Sequence, residues 1–255
     1  MPSVDVPGGE VFVRDLNPAG GDPIVMIHGL LTNHTVFLKN GPAQMAKHRR
    51  VTLYDLRGHG LTELAPTDFR LTTIAQDLFA LMDALGIDHA DIVGYSFGAA
   101  VAIQACLTDP ERVGRLALIE PFGLTHDLPS HETTVDEGLE SYSHSTFVRV
   151  SGRRSDQLRS QLAQLFDDHG LVESLAADEG FFDRAPLDHL TQPVLVLAGK
   201  SSPYRGDAET AARRLPNSTL VMTRGDHNLP VTRAGWVRHR LIRWGKEMAD
   251  GYQRT

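Results

Sequence analysis

The chain has 255 residues, a length that suits one large domain with at most one insertion. Hydrophobic residues make up 41% of it and charged residues 22%, which is typical of a globular protein and excludes disordered, collagen-like and coiled-coil classes. Its 25 Lys and Arg against 32 Asp and Glu give a formal net charge of -7, and the basic pairs are scattered, so nucleic acid is not expected as a partner.

Cysteine content and hydropathy bear on the compartment. Cys106 is the one cysteine of the sequence, which excludes an internal disulfide and fits a reducing compartment. The first ten residues lack the basic and apolar stretches of a secretory signal, and no apolar run approaches the roughly 18 residues needed to span a bilayer. These features predict a cytoplasmic protein with no membrane partner.

Short apolar runs alternate with amphipathic stretches, which is the pattern of a parallel sheet flanked by helices. Each run is too short for a helix and rich in Val, Ile and Leu, so we expect buried strands. The predicted strands are Ile24–Ile27, Val51–Tyr54, Asp91–Val93, Arg115–Ile119, Pro193–Ala198 and Thr219–Met222, preceded by an edge strand at Val11–Arg14.

Two helices and one core position follow from the same pattern. Apolar residues at spacings of three and four predict a helix from Leu71 to Leu85 that stops at Gly86. A last helix is expected over 233–248. Cys106, ten residues beyond a candidate nucleophile described below, is expected in the core.

The stretch from 124 to 186 interrupts the alternation. It is polar, carries His126, His131 and His144, and contains helix-like pieces such as Gln157–Asp167 without strong strands. We interpret it as a helical cap inserted over the sheet. The predicted organisation is a core domain of residues 1–123 and 187–255 with a cap of residues 124–186.

A strand, a tight turn and a helix are predicted in succession around Ser96. The pentapeptide Gly94–Gly98 (GYSFG) follows the predicted strand at 91–93, and an alanine-rich segment comes next. The central residue of such a turn has strained backbone geometry, and the residues two positions to either side face each other, so glycine is needed at both. Ser96 is therefore predicted to be a nucleophile, because an ordinary helix N-cap does not need both glycines.

Two further segments complete the pattern of an acyl-transfer site. His28–Leu31 follows a predicted buried strand, and the amides of Leu30 and Phe97 are the expected oxyanion donors. His227 lies between the last predicted strand and the last helix. A neutral imidazole there can take the Ser96 proton and return it to a leaving group near neutral pH.

With these residues the chain resembles the α/β-hydrolase superfamily over essentially its whole length. The resemblance implies an α/β-hydrolase fold, a mostly parallel sheet flanked by helices. It also implies Ser96 as nucleophile, Leu30 as oxyanion donor and His227 as general base.

One loop that contributes to this resemblance is expected to be structural. Residues 55–62 (DLRGHGLT) resemble the family's D-x-R-G-x-G-x-S loop, with Thr62 in the place of serine. His28 and His59 are also expected to brace their own loops through hydrogen bonds and to take no part in the chemistry.

The catalytic acid departs from the family pattern. The resemblance places it three residues beyond Gly199, where this chain has Ser202, and a hydroxyl cannot stabilise an imidazolium as a carboxylate does. Glu120 is the favoured replacement, since certain haloalkane dehalogenases and lipases place their acid at the end of this preceding strand. Asp207, otherwise interpreted as the N-cap of the next helix, Asp226 and a dyad without an acid remain alternatives.

The expected chemistry is acyl transfer through a covalent acyl-serine, with no cofactor and no metal. We expect hydrolysis of a carboxylic ester or thioester. An acyltransferase or cyclase using the same intermediate, a cofactor-free perhydrolase and a non-catalytic ligand-binding module are the alternatives. The expected partner is a small acyl substrate, with a CoA or carrier-protein thioester among the candidates. An apolar pocket is expected to be lined by Leu31, Tyr95, Phe122, Tyr142 and Phe147.

Overall fold

A computed structural model describes residues 3–64, 67–124 and 170–246 of the chain. The strands are β1 (Ser3–Val6), β2 (Gly9–Leu16), β3 (Ile24–Ile27), β4 (Val51–Tyr54), β5 (Ala90–Tyr95), β6 (Val113–Ile119), β7 (Val194–Gly199) and β8 (Ser218–Thr223). The α-helices are α1 (Pro42–Met45), α2 (Leu71–Ala84), α3 (Phe97–Thr108), α4 (Leu171–Ala177), α5 (Phe181–Arg184), α6 (Arg205–Arg214), α7 (Leu229–Thr232) and α8 (Ala234–Lys246). Short 3₁₀ helices lie at His34–Phe37 and Leu187–His189.

The strands form one eight-stranded sheet in the order β1-β2-β4-β3-β5-β6-β7-β8. The β1–β2 and β2–β4 pairings are antiparallel, and all the other pairings are parallel. The strand order reverses between β3 and β5: β4, β2 and β1 lie on the β3 side, and β6, β7 and β8 lie on the β5 side. Ligands of open α/β sheets bind at such a reversal of strand order, outside the carboxyl ends of the strands.

Both faces of the sheet are covered by apolar layers, so β3 and β4 are buried along their whole length. One layer includes Ile74 of α2, Val101 of α3 and Leu175 of α4. The opposite layer includes Leu241 and Trp244 of α8. Burial on both sides explains why these strands are continuous apolar runs in the sequence.

All six predicted strands are present, and β3 and β4 have the predicted bounds. The prediction that Thr219–Met222 is buried is wrong, because β8 is the last strand of the sheet and its residues are half-buried or exposed. The prediction that Val11–Arg14 is an edge strand is wrong. It forms part of β2, whose outer side pairs with β1. In β1 exposed and half-buried residues alternate, so that strand carries no apolar run for the sequence pattern to detect.

The predicted helix stop is confirmed, since α2 ends at Ala84 and Gly86 adopts the left-handed region at φ 64°. The last predicted helix corresponds to α8, and its final predicted positions lie outside the described residues. Cys106 is fully buried in the core, as predicted, and burial raises its pKa to about 12. No helix in the described segments is long and apolar enough to cross a bilayer.

The predicted cap lies between β6 and β7, and its described part begins at residue 170. There Ser174 Oγ accepts a hydrogen bond of 3.0 Å from the Phe69 amide, and Asp178 accepts one of 2.6 Å from the Leu71 amide. This part therefore docks onto the start of α2. Gln157–Asp167 lies outside the described residues, and the cap boundaries stay a prediction.

A buried ion cluster holds the end of the sheet opposite the strand carboxyl ends. Asp91 accepts hydrogen bonds from Arg49 at 2.7 Å and from the Arg115 guanidinium at 2.8 Å. Arg115 also donates to the Trp244 carbonyl at 2.8 Å, which ties β6 to α8. Burial by itself raises the pKa of Asp91, but the Arg115 and Arg49 bonds outweigh it and hold the pKa below its usual value.

We expect Asp91→Ala to lower the free energy of unfolding at pH 7 by about 3–5 kcal/mol, because two largely buried guanidinium groups lose their partner. The control is Asp83→Ala. The Asp83 carboxylate pairs with Arg112, but the Asp83 side chain is 67% exposed, so its removal should cost at most about 1 kcal/mol. Urea denaturation measures both.

The pH dependence of the Asp91→Ala effect has a definite sign. Because the folded pKa of Asp91 lies below the unfolded one, its stabilisation is present above the unfolded pKa and is lost as the pH falls through the folded pKa. The stability difference between wild type and Asp91→Ala should therefore shrink in acid. A pH-independent difference would contradict this account.

Candidate active site

Ser96 lies at the sharp turn between β5 and α3, with φ 54° and ψ -119°. A Cβ added to Gly94 would lie 2.3 Å from the Gly98 carbonyl oxygen, and one added to Gly98 would lie 2.3 Å from the Ile27 carbonyl oxygen. Both predicted glycines are thus sterically required. The Ser96 side chain makes no capping hydrogen bond to α3, so the N-cap interpretation of this serine does not hold.

Three polar side chains from distant parts of the chain meet at this turn. His227 Nε2 lies 2.8 Å from Ser96 Oγ, and Glu120 Oε2 lies 3.6 Å from His227 Nδ1. All three residues are at most 9% exposed. The predicted nucleophile, base and favoured acid are therefore brought together.

Glu120 follows β6 directly and is held by the end of β7. Its backbone adopts φ 50°, its amide donates to the Leu197 carbonyl at 2.7 Å, and its Oε1 accepts a hydrogen bond from the Gly199 amide. Its Oε2 has no hydrogen-bond partner among the described residues. One carboxylate oxygen thus anchors the side chain and the other faces the imidazole.

The two alternative acids, Asp207 and Asp226, each accept a hydrogen bond from a backbone amide. Asp207 lies inside the first turn of α6, so its interpretation as an N-cap is wrong; the cap position is Tyr204, one turn earlier than expected. The Asp207 carboxylate accepts a hydrogen bond of 2.8 Å from the Gly123 amide. Asp226 accepts one of 2.9 Å from the Asn228 amide within its own loop.

The loop after β3 approaches the nucleophile closely, since a Cβ added to Gly29 would lie 2.9 Å from Ser96 Cβ. The Leu31 amide in this loop donates to His59 Nε2 at 3.0 Å. The Leu30 amide makes no hydrogen bond within the described part of the chain. Phe97 is the first residue of α3, so its amide has no intrahelical acceptor. The two predicted oxyanion donors are thus unpaired among the described residues, in the two segments that meet at Ser96.

His28 and His59 are neutral supports for this loop. The Leu56 amide donates to His28 Nε2 at 3.0 Å, so Nδ1 donates to the Gly29 carbonyl at 2.8 Å. Burial, with a contribution from His59, lowers the pKa of His28 to about 3. Burial also lowers the pKa of His59, whose Nδ1 donates to the Arg57 carbonyl. Their predicted structural role is confirmed.

The 55–62 loop is also structural, as predicted. Asp55 accepts hydrogen bonds from the His34 amide at 2.7 Å and the Leu61 amide at 3.0 Å. Thr62 Oγ1 donates to the Asp55 carbonyl at 2.6 Å, so threonine fills the expected serine role. A Cβ at Gly60 would lie 2.1 Å from Asp55 Oδ2, which explains the glycine.

The predicted pocket residues fall in different places. Phe122 is buried with its ring 4.8 Å from that of Tyr204, and Leu31 is half-buried in the loop after β3. Tyr95 is buried and donates from its hydroxyl to the His227 carbonyl at 3.1 Å, so its side chain braces the base and its contact with substrate stays a prediction. Tyr142 and Phe147 lie outside the described residues.

Tyr204 is a neighbour of the base that the sequence patterns did not indicate. Its ring centroid lies 4.5 Å from that of His227 at an interplanar angle of 74°. Its position two residues after Ser202, in the loop that usually supplies the acid, is the one sequence feature that points to it. No motif specifies an aromatic residue there.

A protein-family model described as the alpha/beta hydrolase fold matches residues 22–169, more than half of the chain. The chain belongs to the α/β-hydrolase family. Hydrolases are among its relatives and structural neighbours, which supports an enzyme of the α/β-hydrolase class. The strand order and the Ser96 turn described above agree with membership of this family.

The curated relatives of the chain carry several names. The dihydrolipoyllysine-residue acetyltransferase component of an acetoin cleaving system from Pseudomonas putida is 34% identical over 62% of this chain and 39% of its own length. The chain thus spans about two fifths or less of the length of the first curated relatives it matches. A 2-hydroxymuconate semialdehyde hydrolase from Pseudomonas sp. is 29% identical over 85% of this chain and 76% of its own.

The solved structures show the same α/β-hydrolase fold. The enol-lactonase from Burkholderia xenovorans superimposes with a TM-score of 0.75 and 22% identity, covering 95% of this chain and 99% of its own. At that identity the likeness concerns the fold alone.

Gly94→Ala tests whether steric exclusion of side chains builds the Ser96 turn. The new Cβ would lie 2.3 Å from the Gly98 carbonyl oxygen, so we expect a loss of about 2 kcal/mol or more in the free energy of unfolding. The matched control is Gly206→Ala in α6, where an added Cβ meets no atom within 4 Å and stability should hold. Equal losses in urea denaturation would argue against the steric account.

Proposed function

We propose that this protein hydrolyses carboxylic esters through a covalent acyl intermediate on Ser96. The observation that carries this proposal is the 2.8 Å contact between Ser96 Oγ and His227 Nε2, on a strained turn beside two unpaired amides. A nucleophile, a base within hydrogen-bond reach and an oxyanion site are the elements that acyl transfer needs.

In the first half-reaction, Ser96 Oγ attacks the ester carbonyl carbon while His227 Nε2 takes its proton. The carbonyl oxygen becomes an oxyanion, which the amides of Leu30 and Phe97 stabilise by hydrogen bonds. The Nδ1–H of the imidazolium faces Glu120 Oε2, whose negative charge stabilises the cation. As the tetrahedral intermediate collapses, the carbon–oxygen bond to the alcohol breaks, and Nε2 gives the proton to the leaving oxygen.

In the second half-reaction, water attacks the carbonyl carbon of acyl-Ser96. His227 Nε2 takes a proton from this water, the same two amides hold the second oxyanion, and the proton passes to Ser96 Oγ as the acid departs. The cycle regenerates the starting protonation states and uses no further group.

Hydrolysis is favoured over transfer to another acceptor by the relatives. A relative that aligns with 85% of this chain and 76% of its own length is named a hydrolase, and a structural neighbour is named an enol-lactonase. The two relatives named acetyltransferase components match over 39% and 58% of their own lengths, so their names need not describe the matched part. Acyl transfer to an amine or alcohol uses the same intermediate and is the alternative outcome of the test below.

We further propose that the acyl group lies against apolar side chains. Phe122 is buried directly after Glu120 and Pro121, and Leu31 follows the oxyanion donor Leu30, so both lie close along the chain to the reacting groups. Small uncharged acyl esters therefore fit the site better than charged ones. Thioesters of CoA or of a carrier protein are the second candidates, because they can carry the same acyl group as these esters.

Active-site labelling tests the proposed nucleophile. A fluorophosphonate should add one phosphonyl group to the wild-type protein, detected by intact mass and located on Ser96 by peptide mapping, and Ser96→Ala should stay unlabelled. Incubation with aryl esters, with and without an amine acceptor, should then show acyl-Ser96 and its product. Ligand binding without labelling would favour a non-catalytic module.

A matched pair of carboxamide variants tests the acid. Glu120→Gln should lower kcat by about 10²–10⁴-fold, because a neutral amide cannot stabilise the imidazolium. Asp226→Asn retains an acceptor for the Asn228 amide and should keep kcat close to wild type. Steady-state hydrolysis of an aryl acetate measures both. Similar losses in the two variants, or a larger one in Asp226→Asn, would overturn the assignment of Glu120.

A further inference from the structure

We propose that Tyr204 is a positioning residue that holds the His227 imidazole in the orientation needed to deprotonate Ser96. This inference rests on the proposed function and adds a residue to it. The proposed role belongs to the ring of Tyr204, which makes the contact with the imidazole. Three observations support it.

The first observation is that the carboxylate holds the imidazole only loosely. Glu120 Oε2 and His227 Nδ1 are 3.6 Å apart, beyond hydrogen-bond distance, and neither atom has a hydrogen-bond partner among the described residues. Glu120 Oε1 is engaged by the Gly199 amide. The orientation of the imidazole therefore depends on other contacts besides the acid.

The second observation is that two tyrosine rings contact the imidazole at different angles. The Tyr95 ring is nearly parallel to it, at 29° and a centroid distance of 5.5 Å, and the Tyr204 ring is steeply inclined, at 74° and 4.5 Å. Both distances lie in the range of favourable aromatic contacts. Two contacts at different angles restrict the rotation of His227 more than either does alone.

The third observation is that Tyr204 is itself fixed. It occupies the N-cap position of α6, its amide donates to Ser202 Oγ at 3.2 Å, and its ring packs on Phe122 with centroids 4.8 Å apart. Ser202 stands where the family pattern has the acid. The loop after β7 thus still serves the base, with an aromatic ring two residues further on in place of a carboxylate.

The contact with Phe122 defines the rival role, which is a wall of the acyl pocket. The two roles differ in their dependence on the substrate. A residue that positions His227 affects every acyl group alike, because the base acts on Ser96 whatever acyl group is bound. A pocket wall affects long acyl groups and spares acetyl.

The experiment compares Tyr204→Leu and Tyr204→Phe with wild type on aryl acetate and aryl octanoate. Tyr204→Leu should lower kcat/KM by about 10–100-fold for both esters, and lower the rate of labelling by a small fluorophosphonate by the same factor. Tyr204→Phe keeps the ring and should restore most of the activity. The control for loss of an aromatic side chain is Phe79→Leu, which removes a partly buried ring on α2 that contacts Arg112.

A double-variant cycle separates positioning from general destabilisation. If Tyr204 acts through His227, Tyr204→Leu should cause no further loss of fluorophosphonate labelling in a His227→Ala background. A purely structural role predicts a further loss there. Thermal unfolding of each variant checks folding, and Tyr204→Met replaces Tyr204→Leu where the latter does not fold.

The outcomes distinguish failure of this inference from failure of the proposed function. A wild-type protein that neither labels nor turns over esters contradicts the proposed function. A wild-type protein that labels, together with a Tyr204→Leu variant that labels equally fast, overturns the role of Tyr204 alone. A loss confined to octanoate, or a Tyr204→Phe variant as impaired as Tyr204→Leu, overturns it too.

Discussion

The close packing of backbone atoms at the β5–α3 junction is the constraint on which the rest of the site depends. Added side chains at Gly94 and Gly98 would lie 2.3 Å from carbonyl oxygens of α3 and β3, so only glycine lets the helix begin so near the sheet. That proximity forces Ser96 to φ 54°, lifts its hydroxyl towards His227, and leaves the Phe97 amide unpaired. The predicted nucleophile and one predicted oxyanion donor are thus products of the same steric contact.

Features with a local or periodic cause could be predicted from the sequence. The strands β3 and β4 are buried on both faces, so burial leaves a continuous apolar run with sharp ends. The Ser96 turn depends on two glycines within five residues. His227 lies 131 residues away, but the resemblance of the surrounding order of elements to a known family located it. Glu120 lies at the end of a predicted strand where certain members of that family place their acid, and the resemblance therefore indicated it.

Features that depend on contacts between distant side chains could not be predicted. The Asp207 carboxylate binds the Gly123 amide, 84 residues away, and nothing in the local sequence separates this from an N-cap role. The contact between the Tyr204 ring and His227 depends on the residue at which α6 begins, and sequence patterns place a helix start only to within a few residues.

The half-exposed strand β1 could not be predicted for a different reason. It has no apolar run, because one sheet edge needs little burial.

The proposed acid Glu120 and the Tyr204 ring come from the segments that follow two adjacent strands, β6 and β7. Glu120 sits at the end of β6 with φ 50°, and its Oε1 accepts from the Gly199 amide at the end of β7. That bond anchors the carboxylate but also limits its approach to His227, because moving Oε2 closer strains the Oε1 bond. The loop after β7 has Ser202 at the position where the family pattern has the acid, and Tyr204 follows two residues later. The Tyr204 ring lies against His227, so in the proposed mechanism the imidazole is oriented by a carboxylate from the end of β6 and a ring from the loop after β7.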